Sequence, residues 1–424
     1  MEKLFAMKQN KKNCVFLGQV VNEKIFDFFG KKVKGFCHLP FYLLTLLPFS
    51  AFAETNSPNS SPRFANVRFS GYITGIHNSI YVFQMRDYNH LQMLHNRLNF
   101  QYSPNENWRF VSEIRTRGMY YSLASSIPGY ADQIRHYNGL TNLSWNWINS
   151  GNTIFNTTID RLFLSYEIDQ LVIRVGRQRI NWSQTLVFNP NDIFNTYSFF
   201  DFDYQERQGC DAVRIQYYPS PTSVVELAVS VNAERQSTLA AMYRFNYNSI
   251  DFQVMTGWYK ETDFVIGGGI VSDINGLNIR SEFAYFTPFS SNSTSMSKVN
   301  ISLGLDYIFS NSMMLSGEVL YSSRTSEQGD FSTLLTSTMS AKNLSMTTWT
   351  AVAQISYPFS PIFSGNLAMM SFVNLPAFYV GPSISANPFP NFTLTATTQL
   401  FLGDRKVMQP NQIGLFFVGL RWDF

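Results

Sequence analysis

The chain of 424 residues is 45% hydrophobic and 16% aromatic, only 14% of its residues are charged, and its mean hydropathy is −0.10. The low charge excludes a disordered or nucleic-acid-coating chain. The near-neutral hydropathy excludes a bundle of membrane helices, and a soluble domain so rich in Phe and Tyr would expose large apolar patches. The composition therefore favours a transmembrane β-barrel, whose strands have one lipid-facing and one polar face.

The first 53 residues differ in composition from the rest of the chain. They hold eight Lys and no Arg, and the basic stretch is followed by the mostly apolar stretch 38–50 and by Ala51-Phe52-Ala53. This order is typical of a secretory signal peptide, although an N-terminal helix of the mature fold is the alternative. We expect a signal peptide over 1–53, a mature chain beginning at Glu54, a periplasmic linker over 54–65 and an outer-membrane β-barrel over 66–424.

Removal of this segment would change the sign of the net charge. It would leave 32 − 8 = 24 basic and 29 − 3 = 26 acidic residues, a net charge of −2 instead of +3. Of three cysteines only Cys210 would remain, which excludes an internal disulfide and a cysteine metal cluster. We expect no cofactor, no metal and no nucleic-acid partner, and a location in the outer membrane of a Gram-negative cell.

From Val67 onwards, polar and apolar residues alternate with the period of two that is typical of half-buried strands. The pattern predicts an all-β fold, a transmembrane antiparallel up-and-down β-barrel of about 18 strands. The predicted strands begin near residues 67, 91, 107, 158, 171, 210, 222, 236, 249, 262, 276, 297, 312, 347, 361, 377, 389 and 411. Every second connection is a tight turn, and the others are mostly long: roughly 77–90, 122–157, 183–209, 288–296 and 324–346.

Alternation also assigns charged side chains to the lumen, because an Arg at the membrane midplane on the lipid face costs about 2–4 kcal/mol. The predicted pore-lining residues are Arg97, Arg109, Glu113, Arg115, Arg117, Arg161, Arg174, Arg214, Arg244 and Arg280. The arginines concentrate in the N-terminal half and would attract anions, since guanidinium groups suit carboxylates and phosphates. The alternative, that Arg–Glu pairs only brace the wall, stays open.

The connection 183–209 mixes acids with five Phe residues, which a free surface loop would expose to water. We expect it to fold into the pore as a constriction whose acids face Arg177 and Arg179; an extracellular cap is the alternative. The acids in question are Asp192, Asp201, Asp203 and Glu206. The spacing of the last three could suit calcium, but it lacks the Gly and the ligand register of an EF-hand.

No enzyme signature is present. His90 and Asp87 are the only neighbouring His–acid pair, which chance explains, so we expect a protein that is not an enzyme. The triplet Gly267-Gly268-Gly269 lies inside a predicted strand with no helix after it. It indicates a bulge or a close contact rather than a phosphate loop.

The last strand has an apolar face that ends in an aromatic residue: Phe416, Val418, Leu420, Trp422 and Phe424. This pattern resembles the C-terminal β-signal of outer-membrane proteins, which the barrel-assembly machinery recognises. The resemblance implies that this machinery and outer-membrane lipid are partners of the chain.

Three segments resemble the alginate-export type of porin and its uncharacterised relatives: Gly176-Arg177-Gln178, Asn189-Pro-Asn-Asp192 and residues 211–217. The resemblance implies an 18-stranded barrel with a basic lumen that passes anionic sugars or other small acids. We expect an outer-membrane channel, a porin, for passive diffusion of small polar solutes, anions among them. The alternative function is a barrel that anchors surface loops for adhesion or envelope structure.

Overall fold

The computed structural model describes residues 66–84, 86–137, 139–196, 206, 208–289, 296–323, 340–345, 347–373, 375–404 and 411–424. The predicted signal peptide and linker lie outside these residues. The strands are β1 (Val67–Val82), β2 (Asp87–Tyr102), β3 (Trp108–Tyr121), β4 (Ser144–Ser150), β5 (Thr153–Ile168), β6 (Leu171–Gln178), β7 (Cys210–Ser220), β8 (Ser223–Val231), β9 (Ser237–Tyr247), β10 (Ile250–Tyr259), β11 (Asp263–Ile274), β12 (Leu277–Pro288), β13 (Lys298–Ile308), β14 (Met314–Ser322), β15 (Trp349–Ser360), β16 (Phe363–Phe372), β17 (Ala377–Phe389), β18 (Phe392–Gly403) and β19 (Gln412–Asp423). The described helical segments are α1 (Tyr130–Arg135) and a 3-10 turn, Ala124–Ser126.

The strands close into one antiparallel barrel. Each wall strand pairs with its neighbours along the chain, and β1 pairs with β19 from Tyr72–Asp423 to Val82–Ile413, which joins the two ends of the sheet. Closure removes the free sheet edges that hydrocarbon could not satisfy. The predicted fold class and strand number are confirmed, because 18 of the 19 strands form the ring.

The additional strand is β4. It pairs with residues 153–158 of β5, while the short β6 pairs with residues 162–168 on the same edge of that strand. β4 therefore continues the wall at the height where β6 has ended. The predicted loop 122–157 therefore contains β4 and the beginning of β5. Polar residues interrupt the apolar pattern in this segment, so the sequence did not predict strands there.

The two ends of the barrel differ in their connections. At the short-turn rim, two-residue turns follow β5, β9 and β11, with positive φ at Asn248 and Ser249 and at Asn275 and Gly276, as tight hairpin turns require. The long-loop rim carries the connections from β3 to β4, from β6 to β7 and from β14 to β15.

The predicted long connection 77–90 is wrong. β1 extends to Val82 and β2 begins at Asp87, so only residues 83–86 connect them. The polar residues that suggested a loop lie in strands and contact one another: the rings of His77 and His90 stack at 6.5 Å, and Ser79 hydrogen-bonds Tyr88 at 3.1 Å. The hairpin thus continues beyond its apolar part.

Alternate residues face lipid and lumen. In β13, Leu303 is 48% exposed on the outer face, whereas the neighbouring Ser302 is 0% exposed on the inner face. Aromatic pairs mark both edges of the apolar band, with Trp108 on Tyr166 near the short-turn rim and Tyr321 on Trp349 near the long-loop rim. No helix among the described residues is long and apolar enough to cross a membrane.

Candidate functional site: the barrel lumen

Three arginines stand in one row on the lumen face of neighbouring strands. Arg109 of β3 lies opposite Ser165 of β5, Ser165 lies opposite Arg174 of β6, and Arg174 lies opposite Arg214 of β7. Neighbouring strands are about 4.8 Å apart, so these side chains emerge on one stretch of wall. We call Arg109, Arg174 and Arg214 the arginine row.

Several lumen arginines form ion pairs with wall carboxylates. Arg97 contacts Glu113 and lies 2.8 Å from Asp160, whose carboxylate is also 3.6 Å from Arg115. Arg97, Arg115 and Asp160 are buried, Glu113 is partly exposed, and the pairs cross-link β2, β3 and β5. This part of the basic wall therefore braces the barrel, as the open alternative of the sequence analysis stated.

Two further ion pairs stand elsewhere on the lumen face. Arg214 binds Glu226 of β8 through two hydrogen bonds of 2.6 Å, and Arg280 of β12 lies 2.5 Å from Asp306 of β13. One member of the arginine row is therefore neutralised by its neighbour strand.

Asp160 was missed by the sequence analysis. Alternation from Arg161 would turn it towards lipid, but the register shifts between Glu113 and Ile114 of the partner strand, which leaves an extra residue in β5. This β-bulge lets Asp160 and Arg161 both face inwards. A single acidic residue at a position assigned to lipid was the available signal.

Three lumen arginines lack such a partner. Among the described residues, no carboxylate lies within ion-pairing distance of Arg109, Arg174 or Arg244. Arg174 binds the Ser165 hydroxyl at 3.4 Å and Arg244 binds the Gln253 amide oxygen at 2.6 Å. These three side chains retain their positive charge towards the lumen.

Arg115, Arg117 and Arg161 also face inwards but are buried, at 3%, 8% and 7% exposure. Arg117 binds Asn156 at 3.0 Å and the carbonyl of Ile134 on α1, and the helix packs over Met93, Met119 and Ile154. Because α1 and its connection lie over this wall, Arg115 and Arg117 do not line open water as predicted.

Arg177 does not face the loop acids as expected. It pairs with Asp211 at 2.7 Å, opposite it in register, and its guanidinium lies 4.0 Å from the ring centre of Tyr137. Asp211 and Arg214 are three residues apart in β7, so their side chains point to opposite faces of the strand. Asp211 therefore lies on the outer face, under the segment that leads to β4. The pair therefore belongs to the wall and not to the constriction.

The connection between β6 and β7 lies inside the barrel over its described residues 180–196, here called the inner loop. The Trp182 indole donates to Glu226, and the Gln253 amide donates to the Trp182 carbonyl at 2.7 Å. The tip reaches β14–β18, where Phe188 packs in a cluster with Leu320 and Tyr379. The inner loop therefore covers the inner wall from β8 to β18 and narrows the lumen.

Two wall glutamates bind the backbone of the inner loop. Glu282 of β12 accepts the N–H groups of Gln184, Thr185 (2.7 Å) and Asn191 (3.1 Å). Glu318 of β14 accepts those of Leu186 (3.1 Å), Val187 (3.1 Å) and Phe188 (2.6 Å). Each carboxylate is thus enclosed by three peptide dipoles, an arrangement that stabilises an anion without a cation.

The glycine triplet makes room for the inner loop. A Cβ at Gly267 would lie 2.5 Å from the Asn191 side chain, and one at Gly269 would lie 2.2 Å from Gln184. The carbonyl of Gly268 accepts the Asn191 amide at 2.8 Å. Of the two alternatives predicted for this triplet, the structure shows the close contact.

The acids of this connection are placed in different surroundings. Asp192 is buried and accepts the N–H of Asn195 at 3.3 Å, and Glu206 accepts the Tyr72 hydroxyl of β1 at 2.5 Å. Asp201 and Asp203 lie outside the described residues. Among those that are described, no group of three His, Cys, Asp or Glu could hold a metal ion.

A second segment of the long-loop rim, residues 340–345, also lies against the inner wall. Lys342 pairs with Asp263 of β11 at 2.6 Å, and Asn300 of β13 donates to the carbonyl of Ala341 at 2.9 Å. Ala341 is fully buried in one cluster with Trp182. The segment and the inner loop therefore belong to the same packed layer inside the barrel.

The wall from β15 to β18 differs from the rest of the lumen because residues 343–403 contain no charged residue. Its inward side chains towards the short-turn rim are hydroxyls and amides. They include Gln354, Ser356, Asn366, Ser383, Ser385, Thr393, Thr395 and Thr397. The lumen thus has a basic sector at β2–β9 and an uncharged polar sector at β15–β18.

The predicted assembly face of β19 points outwards. Val418 and Leu420 are half exposed on the lipid side. Arg421 alternates with these residues and points inwards, where its guanidinium carbon lies 3.7 Å from the ring centre of Tyr72. Phe424 exchanges two backbone hydrogen bonds of 2.9 Å with Gly71 of β1. The last residue therefore takes part in closing the barrel.

Solved structures share this architecture. OccK5 (OpdH) of Pseudomonas aeruginosa superposes with a TM-score of 0.55 at 8% identity, over 85% of this chain and 98% of that one. The outer membrane protein OprD of the same species gives 0.55 at 7% identity, over 85% and 93%. OccAB2 of Acinetobacter baumannii gives 0.53 at 7% identity, over 85% and 98%.

The likeness is one of fold. Identities this low carry the barrel architecture and not the solute or the residues that bind it. No protein-family model matches the chain, and no curated protein matches its sequence. The finer resemblance to alginate-export porins stays a prediction.

Proposed function

We propose that the chain is an outer-membrane channel through which small polar solutes diffuse passively, with a preference for anions. The observation that carries the proposal is the distribution of charge in the lumen. Arg109, Arg174 and Arg244 face it without a carboxylate partner among the described residues, whereas Glu282 and Glu318 are enclosed by the inner loop. A pore lined in this way raises the local concentration of anions.

The fold supports a location in the outer membrane. The barrel has an apolar outer band with aromatic edges, and the similar structures include the outer membrane protein OprD. A barrel that only anchors surface loops is less well supported, because the inner loop and α1 pack inside the barrel. The described parts of these long connections are thus used to shape the lumen.

Liposome swelling tests the proposal. Vesicles containing the folded protein should swell in isotonic solutions of small sugars and faster in salts of small organic anions than in matched salts of organic cations. Vesicles without protein provide the control. Swelling rates equal to those of empty vesicles would contradict the channel, and equal rates for both kinds of salt would contradict the anion preference.

A further inference from the structure

We propose that Glu282 and Glu318 are the positioning residues that set the aperture of the channel, and that the inner loop in return hides their two charges from the lumen. The inference rests on the proposed channel function. It means that the width of the pore and its charge selectivity change together whenever the inner loop leaves the wall.

The direction of the hydrogen bonds shows which groups hold the inner loop. All six backbone donors belong to the inner loop, between residues 184 and 191, and both acceptors belong to wall strands. Hydrogen bonds to charged groups contribute more than neutral ones. The loop's position therefore depends on two side chains that belong to a different part of the chain.

Among the described residues, the two carboxylates also lack a cationic partner. Within the part of the chain that the structure describes, neither carboxylate has an Arg or Lys at ion-pairing distance, and Ser302 is the one side chain that donates to Glu318. Glu226 differs, because Arg214 neutralises it. The peptide N–H groups are thus what compensates Glu282 and Glu318, and a displaced loop would leave two anionic groups facing water.

The positions of Glu226, Glu282 and Glu318 around the barrel also suit a single loop. When the paired residues are followed from strand to strand, starting at Glu226 in β8, they lead to Ala284 in β12 and to Ser322 in β14. Glu282 and Glu318 therefore lie two and four residues nearer the short-turn rim than the residues paired in this way. Because barrel strands are tilted, such a stagger keeps the three glutamates at a similar height. They can therefore hold one loop that follows the wall horizontally.

Two double variants should detach the inner loop from the wall, one without and one with the two glutamate charges. Glu282→Gln with Glu318→Gln removes both acceptors and both charges. Thr185→Pro with Val187→Pro removes one N–H donor from each carboxylate and keeps both charges. The matched control is Asp251→Asn with Asp306→Asn, which removes two lumen carboxylates that do not touch the loop.

Single-channel recording separates the outcomes. Both release variants should show at least a two-fold higher conductance and admit larger polyethylene glycols, while the control keeps the native aperture. The reversal potential should move towards cation preference only in the proline variant. Native conductance in both folded release variants, or the same direction of shift in both, would overturn the proposal.

A labelling experiment tests the positioning role without conduction. Thr185→Cys is a nearly isosteric change at a buried position, and the native Cys210 is buried as well. A membrane-impermeant maleimide should label the introduced thiol slowly in the native background and in the Asp251→Asn, Asp306→Asn control. With Glu282→Gln and Glu318→Gln, labelling should be at least ten-fold faster.

If the introduced thiol is labelled equally slowly with and without the two glutamates, the inference is overturned even if the channel conducts. Labelling does not require conduction, so the experiment also tests the inference in a protein that does not conduct. If the double glutamine variant does not fold, the two single glutamine variants should each show a smaller acceleration of labelling. The absence of that acceleration would again overturn the inference.

Discussion

The arginines of the lumen have different roles. Arg97 and Arg214 are held by carboxylates, whereas Arg109, Arg174 and Arg244 present a charge that no described carboxylate compensates. Selectivity should therefore depend on the second group. The buried Arg115 and Arg117, which the sequence placed beside Arg109 on the same strand face, contribute mainly to the wall.

Replacing Arg109 and Arg174 by Gln should reduce anion preference, because it removes two uncompensated charges from the lumen and keeps side-chain length. The reversal potential in a salt gradient should shift towards cations, most strongly at low ionic strength, where screening is weak. Arg86→Gln with Arg235→Gln, in turns of the long-loop rim, loses the same charge and should leave the potential nearly unchanged. A shift of equal size in both proteins would show that the row has no special role.

Asp160→Asn should destabilise the barrel by about 3–5 kcal/mol, because it leaves Arg97 and Arg115 buried beside a neutral group. Denaturant unfolding in detergent micelles measures the loss. Asp132→Asn is the matched control. The Asp132 carboxylate is 81% exposed and lies 3.8 Å from Arg135, so its replacement should lower the free energy of unfolding by less than about 1 kcal/mol. Equal stability of the two variants would refute the bracing role of Asp160.

Among the elements, the strands were predictable and the interior layer only in part. Period-two alternation located the wall strands, since lipid on one side and water on the other force that pattern. The bulge at Asp160 was hidden, because one inserted residue reverses the faces without changing the composition. β4 was missed as well: Trp145 and Trp147 alternate with Ser144 and Asn146, but the register shift between Asn146 and Ile148 ends the alternation after four residues.

The inner loop shows the same limit. Its aromatic residues indicated that it folds inwards, but the groups that hold it are backbone N–H groups, which have no sequence signature. Alternation with Arg280 places Glu282 on the lumen face, but the sequence could not show that Glu282 and Glu318 bind the backbone of a loop. The loop's own acids, expected to bind Arg177, were the wrong partners because the wall already supplies Asp211.

Removal of Phe424 should impair assembly, because its backbone makes two hydrogen bonds to Gly71 and its ring lies over that glycine. We expect a reduced fraction of heat-modifiable, folded protein in cell envelopes. Phe389→Ala, which removes an exposed aromatic side chain at the same rim, serves as the control. Folding of the truncated protein at the native yield would contradict both the predicted assembly signal and the closing role of the residue.

On the scale of the whole molecule, the lumen is asymmetric. The basic sector at β2–β9 faces an uncharged polar sector at β15–β18, and the inner loop covers the acidic positions between them. A solute entering the described lumen would meet guanidinium groups on one side and hydroxyl and amide groups on the other. Under the proposed channel function, we expect this lumen to favour a small anion that also carries hydrogen-bonding groups.

The most direct test of the proposed channel function is the conductance of the purified, folded protein in a planar lipid bilayer. We expect stepwise increases in current, each step being one inserted channel, and a reversal potential in a KCl gradient that indicates preference for chloride. Insertion is checked independently by protease protection in vesicles of the same lipid. Protein that inserts and produces no current steps would contradict the channel function itself.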